Sequence, residues 1–305
     1  MPACPEVQHS PDTPLRVLIA GCGYVGIALG KALATSGHQV WGMRRNTSAL
    51  PPEIRPLQAD LGQDIQDAVR SQAWDVVYYT ASSSAYTPEA YEAAYVTQVT
   101  RLLHALEDLE QPPKRFIYTS STGLYTQQDG EWLDEDSPVQ PTRFAAQALL
   151  EGEQRVHQAT LPGVVVRLAG IYGPGRTRLL DQAISGEAQC IEERVAWLNL
   201  IHREDCAGIL AHLATYPNPA SCYLAVDHCP VEKNTLLRWL AAELGLPDPP
   251  VIPVEEAPPL RRGGNRRYRN RRILETGYRF RYPTYREGYA ALLATHRKSR
   301  DPHAS

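Results

Sequence analysis

Short, apolar runs alternate along this chain with longer stretches whose apolar residues recur at helical spacing. Residues 16–20, 38–43, 54–59, 75–81, 115–119, 164–168 and 222–226 read as strands, rich in Val, Ile, Leu and Tyr and bounded by turn residues. Residues 24–36, 61–71, 88–110, 143–159, 203–215 and 232–244 read as helices. Strands that alternate with helices imply a mostly parallel α/β sheet covered on both faces. After Ile171 the pattern loses regularity, with a turn at Gly173, Pro174 and Gly175, an irregular stretch to Ala196 and a proline-rich passage over 247–259. The expected organisation is therefore a tail over 1–14, a sheet domain over 15–170, and a smaller lobe over 171–305. That lobe is discontinuous, because 202–226 returns to the main sheet.

Composition narrows the partner. With 43% hydrophobic and 21% charged residues and a formal net charge of -3 over 305 residues, the chain has an ordinary globular make-up. It has no global attraction for nucleic acid or anionic membrane. A small-molecule substrate is expected, and a homodimer is left open. Cys4, Cys22, Cys190, Cys206, Cys222 and Cys229 show neither paired spacing nor a framework, which argues against zinc and disulfides and for a reducing cytoplasm. No apolar run is long enough for a membrane span, and the N-terminus lacks the pattern of a signal peptide.

The strongest local signal is the first strand running directly into Gly21, Gly23 and Gly26 at GxGxxG spacing and then into a helix. Each glycine has a mechanical reason. Gly21 permits the tight turn, Gly23 lets backbone approach a pyrophosphate, and Gly26 lets the helix pack on the strand. Tyr24 and Val25 would then present backbone N–H groups to the anion at the helix start. The competing reading is a purely structural turn, but the strand before and the second strand after favour dinucleotide binding on a Rossmann-type, doubly wound parallel sheet. That second strand ends in Arg44 and Arg45 rather than in Asp or Glu. A guanidinium can fork onto a ribose 2′-phosphate, so the expected cofactor is NADP, with NAD the alternative if both arginines are merely solvated.

Four further segments carry a resemblance: Ala59, Asp60 and Leu61 after the third strand; 116–125, with Ser120, Ser121 and Tyr125; 167–175, with Arg167 and Tyr172; and 200–205, with His202. Together with the glycine loop, they make the chain resemble the extended short-chain dehydrogenase/reductases, the NAD(P)-dependent epimerase/dehydratase group that works mainly on nucleotide sugars. The resemblance implies that Asp60 and Leu61 border the adenine. It also implies that Ala81 and Ser82 pass the ribose and pyrophosphate, and that Ser121 hydrogen-bonds the substrate. Capping of the strand-end turn is the other use for Ser121.

The resemblance also has a gap. Redox-active members use a tyrosine and, one helical turn later, a lysine that lowers the phenol's pKa from about 10. Here Arg143 and Gln147 occupy those places, and Tyr95 replaces the asparagine of the proton relay. Arginine stays protonated and glutamine cannot ionise. Tyr125 is the nearest phenol that could stand in, unless it is a core aromatic. The expected function is an oxidoreductase or epimerase acting on a nucleotide sugar or related carbonyl through an atypical relay; the alternative is a non-catalytic NADP(H) sensor or scaffold. Finally, residues 261–272 hold many arginines, readable as a solvated loop, a phosphate clamp or a polyanion site, with Asn270 as the N-cap of a following helix.

Overall fold

The computed structural model describes residues 13–257 and 265–300. Seven parallel strands form its main sheet: β1 (Arg16–Ala20), β2 (Gln39–Arg44), β3 (Arg55–Gln58), β4 (Val76–Tyr79), β5 (Arg115–Ser121), β6 (Gly163–Leu168) and β7 (Cys222–Ala225). Their order is β7-β6-β5-β4-β1-β2-β3. The order reverses between β1 and β4, and in a doubly wound sheet ligands bind in the crevice at the carboxyl ends of the strands beside that reversal.

Alternation along β1 explains why both sheet faces are covered. Val17 and Ile19 enter one buried cluster, and Leu18 and Ala20 enter the other. Helices α1 (Tyr24–Thr35) and α4 (Arg203–Thr215) pack together on the first face. Helix α2 (Gln98–Glu107) supplies Leu102, Leu103 and Leu106 to the second, while α3 (Phe144–Gln158) packs against α2 and β6. A third buried cluster joins Tyr172, Leu179, Leu236, Leu240 and Tyr289.

Several elements differ from the sequence expectation for local reasons. The helix expected over 61–71 is only Gln66–Arg70. Asp60 Oδ1 accepts from the Gly62 N–H at 2.9 Å and Asp64 Oδ1 from the Gln66 N–H at 3.0 Å, so two Asx turns consume the residues before it. The helix expected over 88–110 is interrupted by a π-helical turn, Ala93–Thr97. Two carbonyls of that segment accept from phenols on the sheet: Ala94 from Tyr79 and Tyr95 from Tyr118. Among the described residues, four two-stranded ladders, among them Glu131–Leu133 with Arg266–Tyr268 and Gly170–Tyr172 with Leu200–His202, were too short to show periodicity. Of the expected tail, residues 1–12 lie outside the described residues. Among the described residues no helix is long and apolar enough to cross a membrane.

Candidate functional site

The glycine loop is stapled to the end of β2. The N–H groups of Gly21 and Cys22 both donate to Met43 O, at 3.0 and 3.2 Å, and Gly23 N–H donates back to Gly21 O at 2.7 Å. Gly21 sits at φ +79, and a Cβ there would lie 2.4 Å from Ala81 backbone atoms. Gly21 thus allows both the left-handed turn and close passage of the segment after β4. At Gly26 a Cβ would meet Thr80 Oγ1 at 2.9 Å and Ile19 Cγ2 at 3.0 Å, the close approach of helix to strand. Gly23 differs: its Cβ would meet only Gly21 O, at 3.7 Å. The protein itself leaves that space open, and the adjacent first turn of α1 has no side-chain cap and no acidic residue. Such a turn suits an anion, through free N–H groups and the helix dipole. This cradle fits a dinucleotide pyrophosphate. Cys22 within it is an inert thiol, since burial pushes its pKa up to about 12.

The expected cofactor residues converge around this loop. Arg44 ends β2, half-buried, with Nη1 donating to Cys22 O at 3.3 Å; Arg45 beside it is exposed. Ala59 N–H donates to Arg44 O at 3.3 Å, which brings Asp60 and Leu61 alongside the arginine. Leu61 is buried, and its carbonyl accepts from Arg101 at 2.6 Å. Ala81 lies against Gly21, and Ser82 follows it into solvent. Tyr24 and Val25 open α1.

Ser121 ends β5, and its Oγ accepts from the Gly123 N–H at 3.1 Å. It caps the turn while its hydroxyl hydrogen is left to donate elsewhere. Arg143 is the N-cap position of α3 and Gln147 lies one turn inside; both are exposed, and neither can shuttle a proton. Tyr125 is fully buried. Its hydroxyl donates to Asp134 O at 2.7 Å and accepts from Arg167 Nη1 at 2.8 Å, while burial drives its pKa well above the phenol range. Arg167 is in turn held by Glu153 through bonds of 2.7 to 3.2 Å. The arrangement is that of a structural phenol rather than an acid at a reaction centre.

Sequence reasoning missed this Glu153–Arg167–Tyr125 group, because Glu153 reads as one polar position of an amphipathic helix. A cluster of three rings also gave no signal. Tyr86, Tyr91 and Phe144 make a mutual cluster with centroids 5.0 to 5.6 Å apart, bridging the segment after β4 to the start of α3. His202 caps α4, its Nδ1 accepting from the Glu204 N–H at 3.2 Å, and burial lowers its pKa to about 4. It is a neutral cap at ordinary pH.

The arginine run divides. Arg261 and Arg262 lie outside the described residues. Arg266 is buried on Tyr268 Oη and Gln127 O, and Arg267 lies between Trp132 and Trp197, 4.8 Å from each ring, while donating to Gly130 O. Arg271 pairs with Glu275 and Arg272 with Asp136. Asn270 stands at the N-cap of Arg271–Glu275, but its side chain does not cap. It donates instead to Val226 O at 2.9 Å, tying this segment to the residues after β7.

The model of the NAD dependent epimerase/dehydratase family matches residues 17–220. A Streptomyces protein named 3-diazoavenalumate denitrifying reductase is 27% identical over 265 residues, 81% of this chain and 87% of its own. A solved structure from Methylobacillus flagellatus, described only by likeness as an NAD-dependent epimerase/dehydratase, is 34% identical. It aligns over 93% of this chain and all of its own, with a TM-score of 0.76. The human epimerase family protein SDR39U1 (isoform 2), solved with NADPH, shares the fold at 23% identity and a TM-score of 0.71, covering 88% of this chain and 96% of its own.

Proposed function

Because the chain belongs to the NAD-dependent epimerase/dehydratase family, we propose that it is an NADP(H)-dependent oxidoreductase or epimerase that works without the tyrosine–lysine pair. The observation that carries this reading is the open space at Gly23 beside an uncapped helix start, next to Arg44 at the end of β2. When bound, the nicotinamide cofactor supplies or accepts a hydride. The chain's own residues hold it: Gly21 to Gly26 cradle the pyrophosphate, Arg44 and Arg45 take the 2′-phosphate, and Asp60, Leu61, Ala81 and Ser82 flank the adenosine side. Ser121 orients the substrate.

A nucleotide sugar or a related carbonyl compound is the substrate class that family membership suggests. The exposed Arg143 and Gln147 add a condition: the chosen acceptor must take its proton from solvent or need none. The Streptomyces relative is named as a denitrifying reductase of a diazo compound. When hydride replaces a diazonium group, a C–H bond forms at the carbon whose C–N bond breaks, dinitrogen leaves, and no alkoxide remains to be protonated. The free, buried thiols of Cys22, Cys190, Cys206 and Cys222 suit the reducing cytoplasm in which we place the protein.

Single-turnover oxidation of NADPH, with nucleotide sugars, simple carbonyl compounds and aryl diazonium compounds as acceptors, tests the reading. We expect carbonyl turnover to be slow. The double variant Arg143→Tyr/Gln147→Lys should raise it, by up to about 10²–10⁴-fold if general acid catalysis is restored in place. Binding of NADPH without oxidation by any acceptor would favour the second reading, a non-catalytic NADP(H) sensor, which the loss of the pair also supports. Fast carbonyl turnover by the unmodified protein, unaffected by the double variant, would contradict the proposed condition on the acceptor.

A further inference from the structure

Tyr24 follows the second glycine of the loop, and its ring is covered by two guanidinium groups, one from the turn after Tyr172 and one from the start of α4. Arg176 lies 4.4 Å and Arg203 5.0 Å from the ring centroid. Arg176 closes a tight turn with Gly173, whose N–H and C=O both bond to it, at 3.4 and 2.8 Å. The turn takes its shape from two glycines, Gly173 at φ +146 and Gly175 at φ +78. It is seated on the loop without slack, since a Cβ on Gly173 would lie 3.1 Å from Tyr24 Oη and 3.2 Å from Arg203 Cβ.

The charges at this junction do not cancel. Arg203 shares its guanidinium with Glu204 Oε1, at 2.7 and 3.1 Å. Arg176 is exposed and has no ion-pair partner among the described residues. The smaller lobe therefore brings one uncompensated cation to a ring that is itself anchored at the uncapped start of α1. Stacking on tyrosine holds a guanidinium in place without using its N–H donors, which stay available in the ring plane of the arginine for phosphate oxygens.

We propose that Arg176 binds the pyrophosphate of the dinucleotide, closing the turn at 173–176 over the glycine loop so that cofactor binding ties the smaller lobe to the main sheet. The proposal rests on the dinucleotide reading above and adds to it a residue from outside the sheet domain. It separates two roles among the arginines: Arg44 distinguishes NADP from NAD, whereas Arg176 serves both equally.

The test is calorimetric titration of the wild type, Arg176→Ala and Arg176→Lys with NADPH and with NADH, with thermal melting as the check on folding. Arg176→Ala should weaken binding of both dinucleotides by about tenfold or more, as expected for loss of a charge-assisted contact, and Arg176→Lys should weaken them less. Saturating NADPH should also slow tryptic cleavage after Arg176 in the wild type. Unchanged affinity of Arg176→Ala for both cofactors would overturn the proposal while leaving the dinucleotide reading intact. A loss confined to NADPH would overturn it too, since Arg176 would then read the 2′-phosphate. A wild type that binds neither dinucleotide would overturn both.

Discussion

Gly23→Val abolishes binding of NADPH and NADH while the protein melts close to the wild-type temperature. The expectation comes from the contrast among the three glycines. A side chain at Gly21 would meet Ala81 backbone atoms at 2.4 Å and require a left-handed φ, and one at Gly26 would push against Thr80 and Ile19. Substituting either changes the folded chain, so a loss of binding there says little about ligands. At Gly23 the added Cβ meets only Gly21 O at 3.7 Å. The valine methyl groups then enter space that the chain does not use but that a pyrophosphate needs. Calorimetry with each cofactor, paired with thermal melting, checks it. Wild-type affinity in a normally folded Gly23→Val protein would make the loop a structural turn.

The second large effect is on stability. Glu153→Ala should destabilise the fold by roughly 3–5 kcal/mol, measured by urea denaturation, because it leaves the Arg167 guanidinium buried without its anion. Glu153 is 2% and Arg167 7% exposed, so water cannot replace the lost partner cheaply. Arg167 also donates to Tyr125, so the loss loosens the segment after Ser121. Replacing both partners with apolar groups, as in Glu153→Leu/Arg167→Met, should cost much less than the single change, since no unpaired charge remains. A single variant within about 0.5 kcal/mol of wild type would show that the pair is not desolvated in solution.

The legible parts of this molecule were those where one local pattern has one physical cause. The alternation of buried strands and amphipathic helices specified the sheet and returned 222–226 to it, where β7 pairs with β6. The glycine spacing, the arginines closing β2 and the absence of a phenol and an amine at 143 and 147 could all be read directly. What stayed hidden depends on pairing across the chain. Arg167 and Glu153 are 14 residues apart on different elements, and only the packing of α3 on β6 brings them together. Tyr79 and Tyr118 read as strand residues, and nothing local says that their hydroxyls reach the π-helical turn. The arginine run misled in a similar way. Its charges look free in sequence, yet Trp132, Trp197, Asp136 and Glu275 engage them from other segments or from the next turn.

The glycine loop is proposed to hold a nicotinamide dinucleotide whose phosphorylated form Arg44 and Arg45 select. Calorimetric titration of the wild type and Arg44→Asp with NADPH and NADH tests it most directly. If each charge-assisted contact to the 2′-phosphate contributes roughly 1.5–3 kcal/mol, the wild type should prefer NADPH by about tenfold or more. Arg44→Asp should shrink or reverse that preference, because its carboxylate repels the phosphate and can accept from a free ribose hydroxyl. Equal affinity for the two cofactors in the wild type would contradict the selection, and no binding of either would contradict dinucleotide binding by this loop.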